Sequence, residues 1–326
     1  MPKKKTNKII LPELLDTVFA INHEMIEDNG EDCYFYSINE CAGILAVFDG
    51  CGGLGALKYS NFEEKTGAYM ASRAVAYSLH RWFDKACDDN HVFSKNSISS
   101  IKNSIQKVLE AILKSAQARI RLKGSMTRPF PTTLAAALIE KNDCGVETQT
   151  IWAGDSRVYA LTTDGLHQLS DDDLDGEDAY TNLTSDGVLS NLISADGNYK
   201  IHIATNKISL PCIIFSATDG CFGYLPTPMH FEYLILTCLQ EASNVMEWKD
   251  NIEKVLKEVS GDDFTMCLAS FGFETFANLK ASFQKRTEHL NTHFILPMDD
   301  APDEKIVDFW NVYKSGYYSM LNSRKV

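Results

Sequence analysis

Apolar and polar positions along the 326-residue chain recur with two different periods, and the changes between them mark out the elements. Residues 33–48 give two short runs rich in β-formers, parted by a polar turn at Asn39-Glu40. The second run ends at Asp49-Gly50, which predicts a hairpin closing on an acid. Over 63–86, Ala68, Ala71, Val75, Leu79, Trp82 and Phe83 return every three or four residues. Ile98, Ile101, Ile105, Val108, Ile112, Ala116 and Ile120 repeat that spacing, so two long amphipathic helices are expected. Strand-like runs follow at 133–140, 147–153, 157–163, 199–205 and 211–216, then helical periods at 229–242 and 246–259 and a last apolar strand at 264–271. This order lacks the strict strand–helix alternation of a parallel sheet and predicts an α+β fold of antiparallel sheet covered by helix pairs. Beyond Gly272 the chain turns helical around a Pro-Met-Asp-Asp-Ala-Pro linker at 297–302. The expected organisation is therefore a frayed basic terminus over 1–8, a domain over 9–272 and a helical C-terminal extension over 273–326.

Composition removes several classes. Hydrophobic residues at 44% and charged residues at 23% are ordinary for a folded domain and exclude a disordered or collagen-like chain. The net charge of -13 has the wrong sign for neutralising nucleic-acid phosphates or anionic lipid, so neither nucleic acid nor membrane is expected as a partner. Apolar runs such as 44–48 are too short to span a bilayer, and no apolar region follows the lysines at 3–5. The nine cysteines are odd in number, scattered and without a Cys-x-x-Cys pair, which points to reduced thiols and a cytoplasmic location.

Acids stand beside the expected strand ends: Glu31-Asp32, Asp49-Gly50-Cys51-Gly52-Gly53, Asp219-Gly220 and Asp262-Asp263-Phe264-Thr265. A single Asp-Gly is an ordinary turn. Carboxylates at strand ends can converge from distant positions, however, and several gathered together repel one another unless a hard divalent cation balances them. The natural reading of the set is a two-metal site.

Taken in order, these segments resemble the metal-dependent protein phosphatases of the protein phosphatase 2C type. The resemblance adds Pro131-Thr132-Thr133, Gly154-Asp155-Ser156-Arg157 with Tyr159, Leu169-Ser170-Asp171 and Ser216-Ala217-Thr218-Asp219-Gly220, and it spans about 28–272. It implies a four-layer αββα sandwich, two antiparallel sheets flanked by helix pairs, and two Mn²⁺ or Mg²⁺ ions with a weaker third. Asp49 would bridge the two ions, Asp219 and Asp262 would complete one, and Glu31 with the carbonyl of Gly50 would help hold the other. Asp32 would orient bound water, and Asp155 would bind the third ion beside Asp219. A hydroxide bridging the ions would then attack the phosphomonoester directly, with no covalent intermediate. The implied partners are phosphorylated proteins and a cognate serine/threonine kinase.

Two positions depart from the family pattern. Cys51 stands where many members carry a His able to protonate the leaving oxygen. Glu27 and Asp28 stand where relatives usually carry an Arg that grips the phosphate, and neither can donate a bidentate fork. Either metal-bound water carries that load, or another base replaces the Arg, or the chain is a pseudophosphatase that binds phosphoproteins without turnover. The acid-rich segment 170–178 reads as a solvated loop, Arg157 and Tyr159 as structural, and His289 and His293 as a helical pair lacking a third ligand. Ile306, Phe309, Trp310, Tyr313, Tyr317 and Leu321 form one stripe on the last helix, expected to pack on its own domain or else to dock a partner.

Overall fold

A computed structural model describes residues 17–322, apart from 40–41, 90, 95–96, 117–127, 143–144, 177 and 185–186. The basic terminus, Glu40 of the expected turn, Ile120 of the second helical stripe and Glu177 lie outside the described residues. In chain order the first half runs β1 (Val18–His23), β2 (Cys33–Ile38), β3 (Gly43–Phe48), α1 (Gly52–Gly55), a small hairpin of β4 (Lys58–Tyr59) and β5 (Lys65–Thr66), α2 (Gly67–Asp88) and α3 (Ser97–Ser115). Then come β6 (Leu134–Asn142), β7 (Gly145–Ala153), β8 (Arg157–Thr162), β9 (Gly165–Gln168), α4 (Ala179–Thr184), β10 (His202–Ile208) and β11 (Cys212–Ala217). The chain closes with α5 (Pro228–Glu241), α6 (Val245–Val259), β12 (Phe264–Phe271), α7 (Phe276–Leu290), α8 (Leu296–Asp299), α9 (Asp303–Tyr317) and α10 (Ser319–Asn322).

Among the described residues the long strands form two five-stranded antiparallel sheets, ordered β1-β12-β11-β8-β9 and β10-β7-β6-β3-β2. Leu45, Val47, Ala135 and Ala137 of one sheet meet Val158, Ala160, Ile214 and Ala269 of the other, making the middle of the sandwich. The opposite face of β3 and β6 turns Ile44, Ala46, Phe48 and Leu138 toward Ala71, Val75 and Leu79 of α2 and Ile101 and Ile105 of α3. On the far side, Phe19, Phe215, Met266 and Leu268 pack beneath Ile235 of α5, Trp248 of α6, Phe283 of α7 and Trp310 of α9. Strands buried on both faces explain why β3, β11 and β12 read as nearly continuous apolar runs rather than alternating ones. This is the expected αββα sandwich with its C-terminal helices.

Three details differ from the sequence reading. Periodicity does not flag β1 or β9, because six- and four-residue edge strands carry too few alternations. β10 begins at His202 rather than 199, since Tyr199 spends its carbonyl on Lys102 Nζ (2.6 Å) and Lys200 donates its amide to Asn191 Oδ1 (2.9 Å) instead of joining the ladder. The segment 170–178 is not a solvated loop: Asp172 accepts two bonds from the buried Arg157, Asp173 accepts the Gly154 amide, and Asp178 accepts from Trp310 Nε1. The aromatic stripe of the last helix is turned inward, with Trp310, Tyr313, Tyr317 and Leu321 buried on the chain's own domain. No helix among the described residues is long and apolar enough to cross a membrane.

Candidate metal centre

The sheet register brings the acids to one end of the sandwich. Cys33 pairs with Phe48, Ala217 with both Met266 and Arg157, and Leu134 with Ala153. Glu31-Asp32 therefore enters β2 where Asp49 leaves β3, and Asp219 leaves β11 where Asp262-Asp263 enters β12 and Asp155 turns from β7 into β8. Antiparallel pairing converts distant positions into neighbours at a single edge.

Four of the acids are held by bonds from the surrounding chain. The Asp49 amide donates to Thr133 Oγ1 (3.0 Å) and its carbonyl accepts from Thr132 Oγ1 (2.8 Å), while Thr133 Oγ1 also meets Ser156 Oγ at 2.7 Å. The Pro-Thr-Thr and Gly-Asp-Ser-Arg segments thus interlock under Asp49. The fully buried Thr218 donates to Asp32 Oδ2 (2.7 Å) and accepts the Thr265 amide (2.9 Å), and Thr66 Oγ1 donates to Glu31. Asp263 accepts the amides of Met25 and Glu31, each at 2.7 Å, and so pins the loop before β2. A Cβ on Gly50 would lie 2.7 Å from the carbonyl oxygens of Ala68 and Glu31, and one on Gly220 only 2.0 Å from that of Asp263. Glycine is required there by close approach of backbone to backbone.

The electrostatics are unfavourable as they stand. Burial, followed by the charges of Asp219, Asp32, Asp155 and Asp262, pushes the Asp49 carboxyl well above the usual range. Burial and then Asp262 raise Asp219 to about 6, and burial and then Asp219 and Asp172 raise Asp155 to about 8. Asp32 is pushed well up and Glu31 and Asp262 are raised, burial leading in every case. Arg157 opposes this at Asp155 and Asp219, but its guanidinium is committed to Asp172. Asp155 Oδ1 is buried without a hydrogen-bond partner. The residues therefore fit a bound cation, which supplies the charge that the fold does not. Among the described residues no three His, Cys, Asp or Glu side chains close on one point. An ion here would complete its shell with backbone oxygen and water, as Mg²⁺ ordinarily does.

Six of the expected site side chains, Glu31, Asp32, Asp49, Asp155, Asp219 and Asp262, thus meet in one electrostatic neighbourhood, with the Gly50 backbone against Glu31. Cys51 is half-buried at the mouth of α1, its thiol pushed well up by burial and then by Asp49. His289 and His293 stack on each other at 4.3 Å, away from this cluster, with no third ligand among the described residues. Sequence reasoning missed Thr66 and the β4–β5 hairpin that carries it, because a pair of two-residue strands leaves no periodic signal. It also missed the role of Asp172, although a buried Arg157 requires a carboxylate and the acid-rich segment was the place to look for one. Beside Glu31 and Asp262 opens a cleft of about 440 Å³, also lined by Met25, Ile26, Lys58 and Lys65.

A family model described as protein phosphatase 2C matches residues 22–257. Among solved structures, the serine/threonine phosphatase Stp1 from Staphylococcus aureus is 16% identical over 80% of this chain and 96% of its own, with a TM-score of 0.58. The serine/threonine phosphatase PstP/Ppp of Mycobacterium tuberculosis is 16% identical over 78% of this chain and 98% of its own, with a TM-score of 0.53. The catalytic domain of PstP in complex with 2 manganese ions aligns over 78% of this chain and 96% of its own at 16% identity and a TM-score of 0.50. Identity this low establishes likeness of fold. No curated protein matches the sequence.

Proposed function

Because the chain belongs to the protein phosphatase 2C family, we propose that it is a metal-dependent protein serine/threonine phosphatase whose acidic cluster holds two Mn²⁺ or Mg²⁺ ions and a weaker third. The observation that carries this reading is the mutual repulsion of Asp49, Asp155 and Asp219, part-buried at one end of the sandwich beside the exposed Asp262, with the nearby Arg157 already committed to Asp172. A purely structural domain has no use for such a cluster. The PstP structure with its 2 manganese ions supports the same assignment of cofactor.

Asp49, at the end of β3, would be shared by two ions; Asp219 and Asp262 would serve one, Glu31 and the Gly50 carbonyl the other, and Asp155 with its unpartnered Oδ1 the third. Bound there, the ions would neutralise phosphate oxygens and activate water for direct attack on phosphorus. Asp32, fixed by Thr218, would accept a hydrogen bond from water at that edge and orient it. Thr133 and Ser156 keep the Asp49 backbone in place, so its carboxylate needs no reorganisation during turnover. Substrates would be phosphoproteins in the cytoplasm, opposed by a serine/threonine kinase.

Release of phosphate from a phosphothreonine peptide should require Mn²⁺ or Mg²⁺ and stop with chelator, while alkylation of thiols leaves the rate unchanged. Activity that survives exhaustive chelation would refute the reading. The loop before Glu31 carries Glu24, Glu27 and Asp28 and no arginine, which favours the second reading, a pseudophosphatase. That reading predicts metal-dependent binding of the same peptide with no release of phosphate.

A further inference from the structure

We propose that Lys65 and Lys58, on the β4–β5 hairpin, supply the cationic grip on the substrate phosphate that the loop before Glu31-Asp32 lacks. The inference rests on the phosphatase reading and names the residues that position its substrate. Both lysines line the cleft that opens beside Glu31 and Asp262. The hairpin is fixed in relation to those acids. Thr66 donates to the Glu31 carboxylate, Gly67 donates its amide to the Leu57 carbonyl at 2.9 Å, and the buried Tyr59 stacks on Phe130 at 4.8 Å.

The two lysines are also chemically free for the task. Lys65 Nζ donates to the Asp28 carbonyl and to Asn29 Oδ1 and lies 4.7 Å above the Tyr69 ring, all neutral partners. Lys58 is exposed and has no polar partner among the described residues. The neighbouring Arg73 is committed, stacked 3.5 Å over Tyr69 and 3.5 Å from Glu24. Of the acids on the cleft wall, Asp263 is taken up by the Met25 and Glu31 amides, Glu31 and Asp262 belong to the proposed ion site, and Glu64 sits at the exposed turn of the hairpin. An ammonium with neutral partners exchanges them for a phosphate oxygen with a gain in charge-assisted bonding. Met25 and Ile26, which also line the cleft, are 51% and 67% exposed and offer an apolar rest for the residue beside the phosphorylated one.

The test compares wild type, Lys65→Ala, Lys65→Arg and the Lys58→Ala/Lys65→Ala double variant in Mn²⁺. Measured are kcat and KM for a phosphothreonine peptide, the inhibition constant of inorganic phosphate, and peptide affinity by calorimetry. Loss of Lys65 should raise KM and the phosphate inhibition constant about ten- to a hundredfold, the size of one charge-assisted bond, with kcat within about threefold. Lys65→Arg should restore most of the loss, and the double variant should exceed the single. A merely structural lysine would lower the unfolding midpoint without moving the phosphate constant. Should Lys65→Ala fail to fold, Lys65→Gln keeps the stem over Tyr69, removes the charge and gives the same readout. Unchanged phosphate and peptide constants in the double variant would overturn the proposal. If wild type binds the peptide without hydrolysing it, the phosphatase reading fails alone, and the calorimetric difference between wild type and double variant still decides the lysines; absence of any binding overturns both.

Discussion

Arg157 and Asp172 are 2% and 6% exposed and joined by two bonds, Nε to Oδ1 at 2.9 Å and Nη2 to Oδ2 at 2.6 Å. Gln168 and Asn182 each donate to the same carboxylate at 2.9 Å, so its remaining lone pairs are filled. Removing one charge leaves the other buried and unpaired. Asp172→Asn should therefore lose about 3–5 kcal/mol in urea unfolding, while the Arg157→Met/Asp172→Leu double variant should cost clearly less than the sum of its single changes. Additive losses would show that the two residues do not act as a unit. Cys51 poses a different question at the same scale, because burial and four carboxylates raise its thiol and leave it a poor acid near neutral pH. The leaving oxygen then lacks a protein acid at this position, and turnover should fall steeply as leaving-group pKa rises across a series of phosphate esters. Cys51→His should flatten that slope and speed the poorest leaving groups most, a general acid being worth about 10²- to 10⁴-fold. Equal slowing of all esters would mean that the ring only overpacks the glycine turn.

At the scale of elements, the composition changes at Gly272 but the hydrophobic core does not. Leu279 and Phe283 of α7 and Trp310, Tyr313 and Tyr317 of α9 belong to the same buried cluster as α5, α6 and the sheet beneath them. Glu232 of α5, wholly buried, accepts Arg286 Nε at 2.7 Å, Arg286 Nη2 at 2.8 Å and Tyr313 Oη at 2.5 Å, tying three helices together. We propose that 273–322 unfolds with the domain rather than apart from it. Trp310→Ala should cost about 3–5 kcal/mol and lower a single unfolding transition, whereas Val312→Ala, at a site 70% exposed, should change stability by about 0.5 kcal/mol or less. Two separated transitions would sink the idea. These elements also show what the sequence makes legible. Helices α2 and α3 stand out because a long amphipathic period fits little besides a surface helix, and strands β3, β11 and β12 because short, mostly apolar runs bounded by turn residues suit a doubly covered sheet. The acids are legible through their ordered motifs. Hidden are contacts that no local pattern encodes, such as Thr66 beneath Glu31, Asp263 tied to the amides of Met25 and Glu31, and Asp172 beneath Arg157.

For the whole molecule, the cluster makes stability, pH and metal one coupled quantity. Asp219, raised from its ordinary 3.8 to about 6, and Asp155, raised from 3.8 to about 8, keep protons in the folded chain that the unfolded chain has released. Between about pH 4 and about pH 8 the native state thus binds more protons than the unfolded state, and stability must fall as pH rises through that window. Asp178 works in the opposite sense. Burial pushes its carboxyl up, but the bonds from Trp310 and Thr181 outweigh burial and lower it below 3.8, so its contribution is present near neutrality and lost only in acid. With chelator, the melting temperature should consequently be higher at about pH 5.5 than at about pH 8, each kcal/mol being worth about 2 °C or less in a chain of this size. If the cluster holds metal as proposed, Mn²⁺ would bind the deprotonated carboxylates of the folded chain, so its stabilisation should grow with pH and remove most of the difference. Asp49→Asn deletes the acid that four others push against, and should both raise the chelated melting temperature at about pH 8 and weaken the response to Mn²⁺. Calorimetric melts at the two pH values, with chelator and with Mn²⁺, test all of this on one sample. A chelated melting temperature that is the same at both would mean that the carboxylates lie far enough apart, or wet enough, to ionise together, and the electrostatic ground for a metal centre would be gone.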